Sequence, residues 1–141
     1  MRKSLIALGI APLAALAISA GPALAGGAIS KQKSPTAAQK TAILKAGGFQ
    51  GPASCYSVQL SARKQTIAGL KFNEKAKNCT KFAFDGAGLY YSTANKKTWF
   101  LLDAASGASA NECDALQTLV GVVAWQDMIP YISSMGCQNF D

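Results

Sequence analysis

Four cysteines constrain the fold of this chain more than any other feature of its sequence. Cys55, Cys79, Cys113 and Cys137 form an even set, and the chain contains no histidine. A zinc site would therefore need all four thiolates, and no Cys-x-x-Cys pair provides the usual spacing of a metal or redox centre. In an oxidising compartment, such a set predicts two disulfides.

Four cysteines allow three connectivities, and the sequence alone does not choose among them. We favour Cys55–Cys79 and Cys113–Cys137, because the residues of each pair are 24 apart and each bridge would then hold one half of a domain. In the chain-entropy model, closing a loop of that size stabilises the folded state by about 3 kcal/mol. We therefore expect structural rather than catalytic disulfides.

The first residues have the anatomy of a secretory signal peptide. Met1-Arg2-Lys3 precedes a mostly apolar stretch, residues 5–20, and Ala23-Leu24-Ala25 follows as a small-residue cleavage site. The alternative is a transmembrane anchor, but a span needs roughly 20 unbroken apolar residues, and this shorter stretch contains a glycine and a proline. We predict cleavage after Ala25 and secretion of the mature chain, with association with the cell wall as a further expectation.

Local patterns divide the chain into three parts: a signal peptide (1–25), a flexible basic arm (26–33) and a single α+β domain (34–141). Ser34-Pro35 predicts the start of a helix over residues 36–46, because serine is a good N-cap and proline fits the first helical turn. Gly47-Gly48 ends that helix.

A run of short strands follows the helix. Asp85-Gly86, flanked by apolar residues, is the strongest hairpin signal in the chain. Alternating patterns and turn residues predict strands at residues 55–62, 66–72, 80–84, 89–93 and 98–102.

The C-terminal third is helical by its periodicity. Leu116, Leu119, Val120 and Val123 lie on one face of a helix predicted over residues 114–125. Ile129-Pro130 starts a further short helix that Gly136 closes. The fold class is therefore α+β: an N-terminal helix, a four- to five-stranded antiparallel meander, C-terminal helices packed on one face, and two disulfides.

Charge is distributed very unevenly along the chain. Residues 26–97 carry twelve basic residues against Glu74 and Asp85, whereas residues 98–141 carry five acids and no base. The densest basic stretch, residues 63–81, has two interpretations: solvated strand edges protected from aggregation, or a surface that attracts an anionic polymer of the cell wall or cell surface. In the second interpretation the contacts are Lys71, Lys75, Lys77 and Lys81. Nucleic acid is a poorer partner, because a single mature arginine, Arg63, is available for bidentate contacts.

Five aromatic residues fall on neighbouring predicted strands: Tyr56, Tyr90, Tyr91, Trp99 and Phe100. Most aromatic residues on a small sheet belong to its core. However, so few helices are not expected to cover both faces of the sheet, so an exposed row including Tyr90 and Trp99 would remain for a saccharide or a protein partner.

Several kinds of catalysis are excluded by residues that the chain lacks. Without histidine there is no Ser-His-Asp or Cys-His machinery and no His-ligated metal. A pair of carboxylates could still cleave glycosidic bonds, and Glu112 and Asp114 are the candidates, with Asp103 nearby in sequence. The same three residues could ligate calcium, and Asp114 could instead complement a helix dipole. We predict no catalytic residue, no metal and no cofactor.

The run Pro52-Ala53-Ser54-Cys55-Tyr56-Ser57-Val58 resembles the opening of a family of small secreted two-disulfide domains common in actinobacteria. The resemblance covers residues 52–137 and implies a secreted α+β domain with two disulfides, without implying any activity. Its further matching positions are Ala68, Cys79, Asp85-Gly86, Trp99, Cys113 and residues 129–137.

The leading functional hypothesis is an exported, non-catalytic binding or interaction domain, retained at the cell envelope through a basic surface. The alternative is a protein-directed inhibitor or secreted effector module that uses the aromatic face of the sheet. A carboxylate-dependent hydrolase of wall polymers is third. The hypothesis includes no membrane span in the mature chain.

Overall fold

Five antiparallel strands form one sheet whose spatial order follows the order of the chain. The structure, a computed structural model, describes residues 31–137, so the predicted signal peptide and most of the predicted arm lie outside the described residues. The strands are β1 (Gln32–Lys33), β2 (Tyr56–Ser61), β3 (Ile67–Phe72), β4 (Ala87–Ser92) and β5 (Trp99–Ala105).

The first strand differs from the sequence-based expectation. Gln32 and Lys33 were predicted to end a flexible arm, but they pair with Ser61 and Leu60 of β2. A two-residue edge strand has no periodicity of its own, so only its partner reveals it.

The predicted strand at residues 80–84 is wrong. Thr80–Phe82 forms a single turn of 3₁₀ helix, and β3 pairs directly with β4, with Ala68 opposite Tyr90. Residues 73–86 are therefore a connection outside the sheet. Gly86 takes the positive φ of 92° that its turn requires, but this turn does not join two paired strands.

The N-cap of the N-terminal helix, α1 (Ala37–Ala46), lies two residues later than predicted. Thr36, not Ser34, accepts the backbone N–H of Gln39, and the Gln39 side chain accepts the N–H of Thr36. This reciprocal capping box satisfies two backbone donors at the helix start. The helix ends at Gly47, as predicted.

The C-terminal residues form three helices, α2 (Ala110–Val120), α3 (Val122–Asp127) and α4 (Ile129–Ser134). The single helix predicted over 114–125 is interrupted at Gly121, whose φ is 78°, a left-handed value that no regular helix continues through. The start of α2 lies earlier than predicted, because Ser109 and Glu112 form a second capping box.

Helices cover both faces of the sheet. On the face defined here as the N-terminal face, α1 packs over Val58, Leu60, Leu70, Tyr90 and Trp99. On the C-terminal face, helices α2–α4 pack over Ile67, Ala87 and Leu89. The expectation that so few helices would not cover both faces is wrong, because side chains of the connections, Phe49, Phe82 and Phe84, join α1 over the N-terminal face. The α+β class, the meander and the placement of the C-terminal helices on one face are confirmed.

Both favoured disulfides are confirmed. Cys55 bonds to Cys79 and Cys113 bonds to Cys137, with Cα–Cα distances of 5.3 and 5.5 Å. The first ties the 73–86 connection to the start of β2, and the second ties α2 to the residues that follow α4.

Candidate functional site

The four lysines proposed from the sequence lie where β3 leaves the sheet and in the connection that follows it. Lys71 points to the C-terminal face: its Nζ donates to the Pro130 carbonyl at 3.1 Å and lies 5.9 Å from the centre of the Tyr131 ring. Lys71 is therefore partly engaged with α4. Lys75, Lys77 and Lys81 are exposed, and Lys81 lies 5.0 Å from the ring centre of Phe82.

Acidic residues share this connection with the lysines. Glu74 and Asp85 both lie within residues 73–86 and both are exposed. The connection therefore carries three basic and two acidic side chains, and its net charge is smaller than its lysine content suggests. No salt bridge joins these residues in the described part of the chain, where the pair found is Arg63–Asp127.

The two aromatic residues proposed for binding are buried, which corrects their assignment to a surface. Tyr90 has no exposed area and Trp99 is 5% exposed, and both belong to the core beneath α1. Burial raises the pKa of the Tyr90 hydroxyl well above its usual range, and this hydroxyl has no hydrogen-bond partner among the described residues. Neither ring is available to a partner in this structure.

Among residues 31–137, the exposed aromatic side chains are instead Tyr91 and Phe100. They lie directly opposite each other on β4 and β5, on the C-terminal face, in one row with Ile67 of β3. Exposure rises along this row from 4% at Ile67 to 41% at Tyr91 and 51% at Phe100. The C-terminal helices thus cover the row at β3 and leave it open towards the edge strand β5.

The turns at the other end of the sheet, residues 62–66 and 93–98, form a second basic region. Lys96 Nζ donates to Gln65 Oε1 at 3.2 Å, so the two turns touch. Together they contain four basic residues and no acid: Arg63, Lys64, Lys96 and Lys97. The sequence does not reveal this region as one surface, because its two halves are 31 residues apart. We define the turn-end surface as Lys64, Lys96, Lys97, Tyr91 and Phe100.

Arg63 is held by an internal partner. Its Nε donates to Asp127 Oδ1 at 2.9 Å, and Ser61 Oγ donates to Asp127 Oδ2 at 2.7 Å. Asp127 is fully buried, whereas the Arg63 side chain is 41% exposed. The guanidinium is therefore already paired with a carboxylate, which removes the one arginine proposed for bidentate contacts from the set of free cations.

Of the carboxylates considered for catalysis, one is bonded within a helix cap and another is exposed. Glu112 Oε2 accepts from the Ser109 hydroxyl and the Ser109 N–H, both at 2.7 Å. These bonds from the side chain and backbone of Ser109 hold the pKa of Glu112 below its usual range, the opposite of the raised pKa that a general acid needs. Asp114 is exposed. Within residues 31–137, no three acidic or cysteine side chains lie close enough to share a metal ion.

An open groove of about 500 Å³ runs beside the outer edge of β2. Its lining combines polar residues such as Ser57 and Asn73 with Tyr56 and Val58, and Lys40 is its one charged residue. The groove therefore offers an anionic polymer one cation, Lys40, whereas the turn-end surface offers three lysines that have no carboxylate partner.

Comparison with protein-family models, curated proteins and solved structures gave no match to this chain. The resemblance to two-disulfide secreted domains therefore stays a prediction. None of the helices within residues 31–137 has the length and apolar character needed to cross a membrane.

Proposed function

We propose that this chain is an exported, non-catalytic binding domain that is retained at the cell envelope through its basic surface. The single observation that carries the proposal is that its basic side chains, with one exception, reach the surface without an acidic partner. Residues 31–137 contain twelve basic side chains and six acidic ones, and the one salt bridge among them is Arg63–Asp127. None of the eleven lysines is buried.

Unpaired surface lysines support attraction to an anionic polymer. Each contributes a small, salt-sensitive amount, and several act together only when the partner presents repeated negative charges. The layer formed by α2–α4 contains no basic residue, so such a partner would meet the sheet ends and α1 rather than the C-terminal helices. Two disulfides are compatible with an oxidising compartment outside the cytoplasm.

The test is co-sedimentation of the oxidised protein with purified cell walls across a salt series. We expect retention at low salt that declines steadily as salt rises, because screening shortens the reach of surface charges. A matched control uses walls from which the anionic polymers have been extracted, and these should retain little protein. Absence of binding to untreated walls at low salt would contradict the proposal.

A second candidate is a protein-directed module, such as an inhibitor or a secreted effector. The observation that favours it is the edge strand β5, which exposes Phe100 on the C-terminal face and Leu101, 43% exposed, on the N-terminal face. Exposed apolar groups at a sheet edge are typical of protein contacts. This candidate predicts a stoichiometric partner whose binding survives about 0.5 M salt and is lost in Phe100→Ser and Leu101→Ser variants.

A further inference from the structure

We propose that the turn-end surface is a binding site for an anionic polysaccharide, in which lysines bind the carboxylate or phosphate groups and the aromatic pair contacts a sugar ring. This inference rests on the proposed function and deepens it, because it names both the site and the class of ligand. It also moves the principal contact away from Lys71, Lys75, Lys77 and Lys81, at the opposite end of the sheet.

Charge favours the turn end over the connection. Its two turns carry four basic residues without an acid, whereas residues 73–86 carry three basic residues with Glu74 and Asp85. Since Asp127 neutralises Arg63, three cations of these turns remain without a carboxylate partner: Lys64, Lys96 and Lys97. Lys31, the residue before β1, lies at the same end, because the Lys31 carbonyl accepts the N–H of Ala62 at 3.0 Å.

The backbone that carries these cations is held in place by side chains. Ser61 Oγ, which also bonds to Asp127, accepts the Lys64 N–H at 2.9 Å. Asn95 Oδ1 accepts the Lys97 N–H, also at 2.9 Å. Ordering a loop on binding costs conformational entropy, so turns that are ordered beforehand bind at a smaller cost.

The aromatic pair lies on an open face close to the turns along the chain. Tyr91 and Phe100 are cross-strand neighbours, and Phe100 is the second residue of β5, three residues after Lys97, so the Cα atoms of Lys97 and Phe100 are at most about 11 Å apart. A sugar ring that packs its C–H face on the aromatic pair would therefore place its charged substituent within reach of the lysine side chains.

The remaining charge on this strand sets the direction of the ligand. Asp103 lies on the C-terminal face of β5 opposite Leu89, beyond Phe100 on the side away from Lys97. Its carboxylate repels an anionic group placed over that end of β5. The anionic substituent is thus directed towards the turns, and the neutral part of the ring towards β5.

The geometry favours a saccharide over a single-stranded nucleic acid or an acidic peptide. Proteins that bind single strands use a basic groove with aromatic side chains that stack on successive bases. Here one aromatic pair lies on an open sheet face, which suits one ring per site. An acidic peptide would use the lysines but would leave the aromatic pair without a ring to contact.

The experiment measures binding of the oxidised protein to four polymers of similar length by titration calorimetry at low salt. Polygalacturonate supplies rings and carboxylates, poly-L-glutamate supplies carboxylates without rings, dextran supplies rings without charge, and oligo(dT) supplies a nucleic acid. One variant combines Lys64→Gln, Lys96→Gln and Lys97→Gln. Its matched control combines Lys75→Gln, Lys77→Gln and Lys81→Gln, with the same change in net charge.

We expect polygalacturonate to bind most tightly and dextran not to bind. The turn-end triple variant should lose about tenfold in affinity, whereas the control triple variant should lose less than about twofold. Phe100→Ser should weaken the binding of polygalacturonate by about fivefold, a loss typical of one stacking contact, and should leave the binding of poly-L-glutamate unchanged. Leu119→Ser, at an exposed position of α2, is the control for the loss of a surface apolar group.

Three results would overturn the inference. They are a larger effect of the control triple variant, equal affinity for polygalacturonate and poly-L-glutamate, and tighter binding of oligo(dT) than of polygalacturonate. These results differ from failure of the proposed function, in which no anionic polymer binds and the protein is not retained on walls.

Discussion

Arg63 and Asp127 form an ion pair that joins the β2–β3 turn to the end of α3. The carboxylate is completely buried and receives hydrogen bonds from the Arg63 guanidinium, the Arg63 N–H and the Ser61 hydroxyl. The arginine side chain, by contrast, is partly in water. The two partners therefore differ in their solvation, because only the aspartate depends entirely on hydrogen bonds from the protein.

This inequality predicts that the two halves of the pair are not equivalent in mutagenesis. Arg63→Ala leaves a buried carboxylate that keeps the Ser61 bond, and we expect a loss of about 3 kcal/mol in the free energy of unfolding. Asp127→Asn leaves a guanidinium that water can reach, and we expect about 1.5 kcal/mol. Urea unfolding of both variants, with Lys64→Ala as a surface control, measures the difference. Equal losses, or a larger loss in Asp127→Asn, would contradict the prediction.

The same pair predicts how stability depends on pH. Burial acts to raise the pKa of Asp127, but the bonds from Arg63 and Ser61 outweigh it and hold the pKa below its usual value. A carboxylate with a lowered folded-state pKa contributes stability above its unfolded pKa of about 3.9, and the contribution is lost as pH falls through the folded-state value.

The free energy of unfolding should therefore differ between the wild type and Asp127→Asn by a constant amount above about pH 5, and the difference should shrink below about pH 4. Denaturant titrations at a series of pH values test this. A difference that stays constant down to pH 2 would mean that the native pair does not lower the pKa of Asp127.

The two disulfides should contribute similar stability and different local order. Replacing either pair by alanine should lower the free energy of unfolding by about 3 kcal/mol, because both bridges have the same sequence separation. Only the Cys55→Ala/Cys79→Ala variant should accelerate amide hydrogen exchange in residues 73–86. Equal acceleration of that connection in Cys113→Ala/Cys137→Ala would show that the C-terminal bridge also holds it.

Close packing of α4 on the sheet predicts a strong effect at Gly69. A Cβ there would lie 2.4 Å from Tyr131 Cγ and 2.6 Å from Met128 Cε, so Gly69→Ala should cost about 2 to 3 kcal/mol by displacing α4. Gly48→Ala is the control, because its Cβ meets nothing within 4 Å and only its φ of 68° is unfavourable, at about 1 kcal/mol. Thermal unfolding compares the two, and a larger loss at Gly48 would refute the steric account.

Much of the fold could be predicted from local sequence. The end of α1 at Gly47 and the strands β2 and β3 were identified correctly, because glycine stops and alternating apolar residues act over a few neighbours. The disulfide pairing, favoured for its equal spacing, was settled only by the structure. The strand predicted over 80–84 failed although its Asp85-Gly86 turn signal was good. Membership of a sheet depends on a partner strand, and β4 takes the place beside β3.

Less of the candidate site could be predicted. Tyr90 and Tyr91 are adjacent in sequence, and alternation correctly places them on opposite faces of the sheet. Alternation does not say which of them is buried. Tyr90 is buried because α1 packs over its face, and Tyr91 is exposed because α2–α4 do not reach it on the other face. The lysines were assigned by density along the chain, which gave 63–81 the greatest weight and did not register the acids interspersed in the connection.

The sequence by itself determined the even number of cysteines, the separation of basic and acidic residues along the chain, and the kinds of catalysis that a chain without histidine excludes. Only the tertiary structure decided which aromatic rings reach the surface, that Arg63 is bound to Asp127, and that Gln65 and Lys96 meet. The physical reason is range: composition and local pattern act within a few residues, whereas contacts across a sheet arise from strand pairing and burial between distant segments.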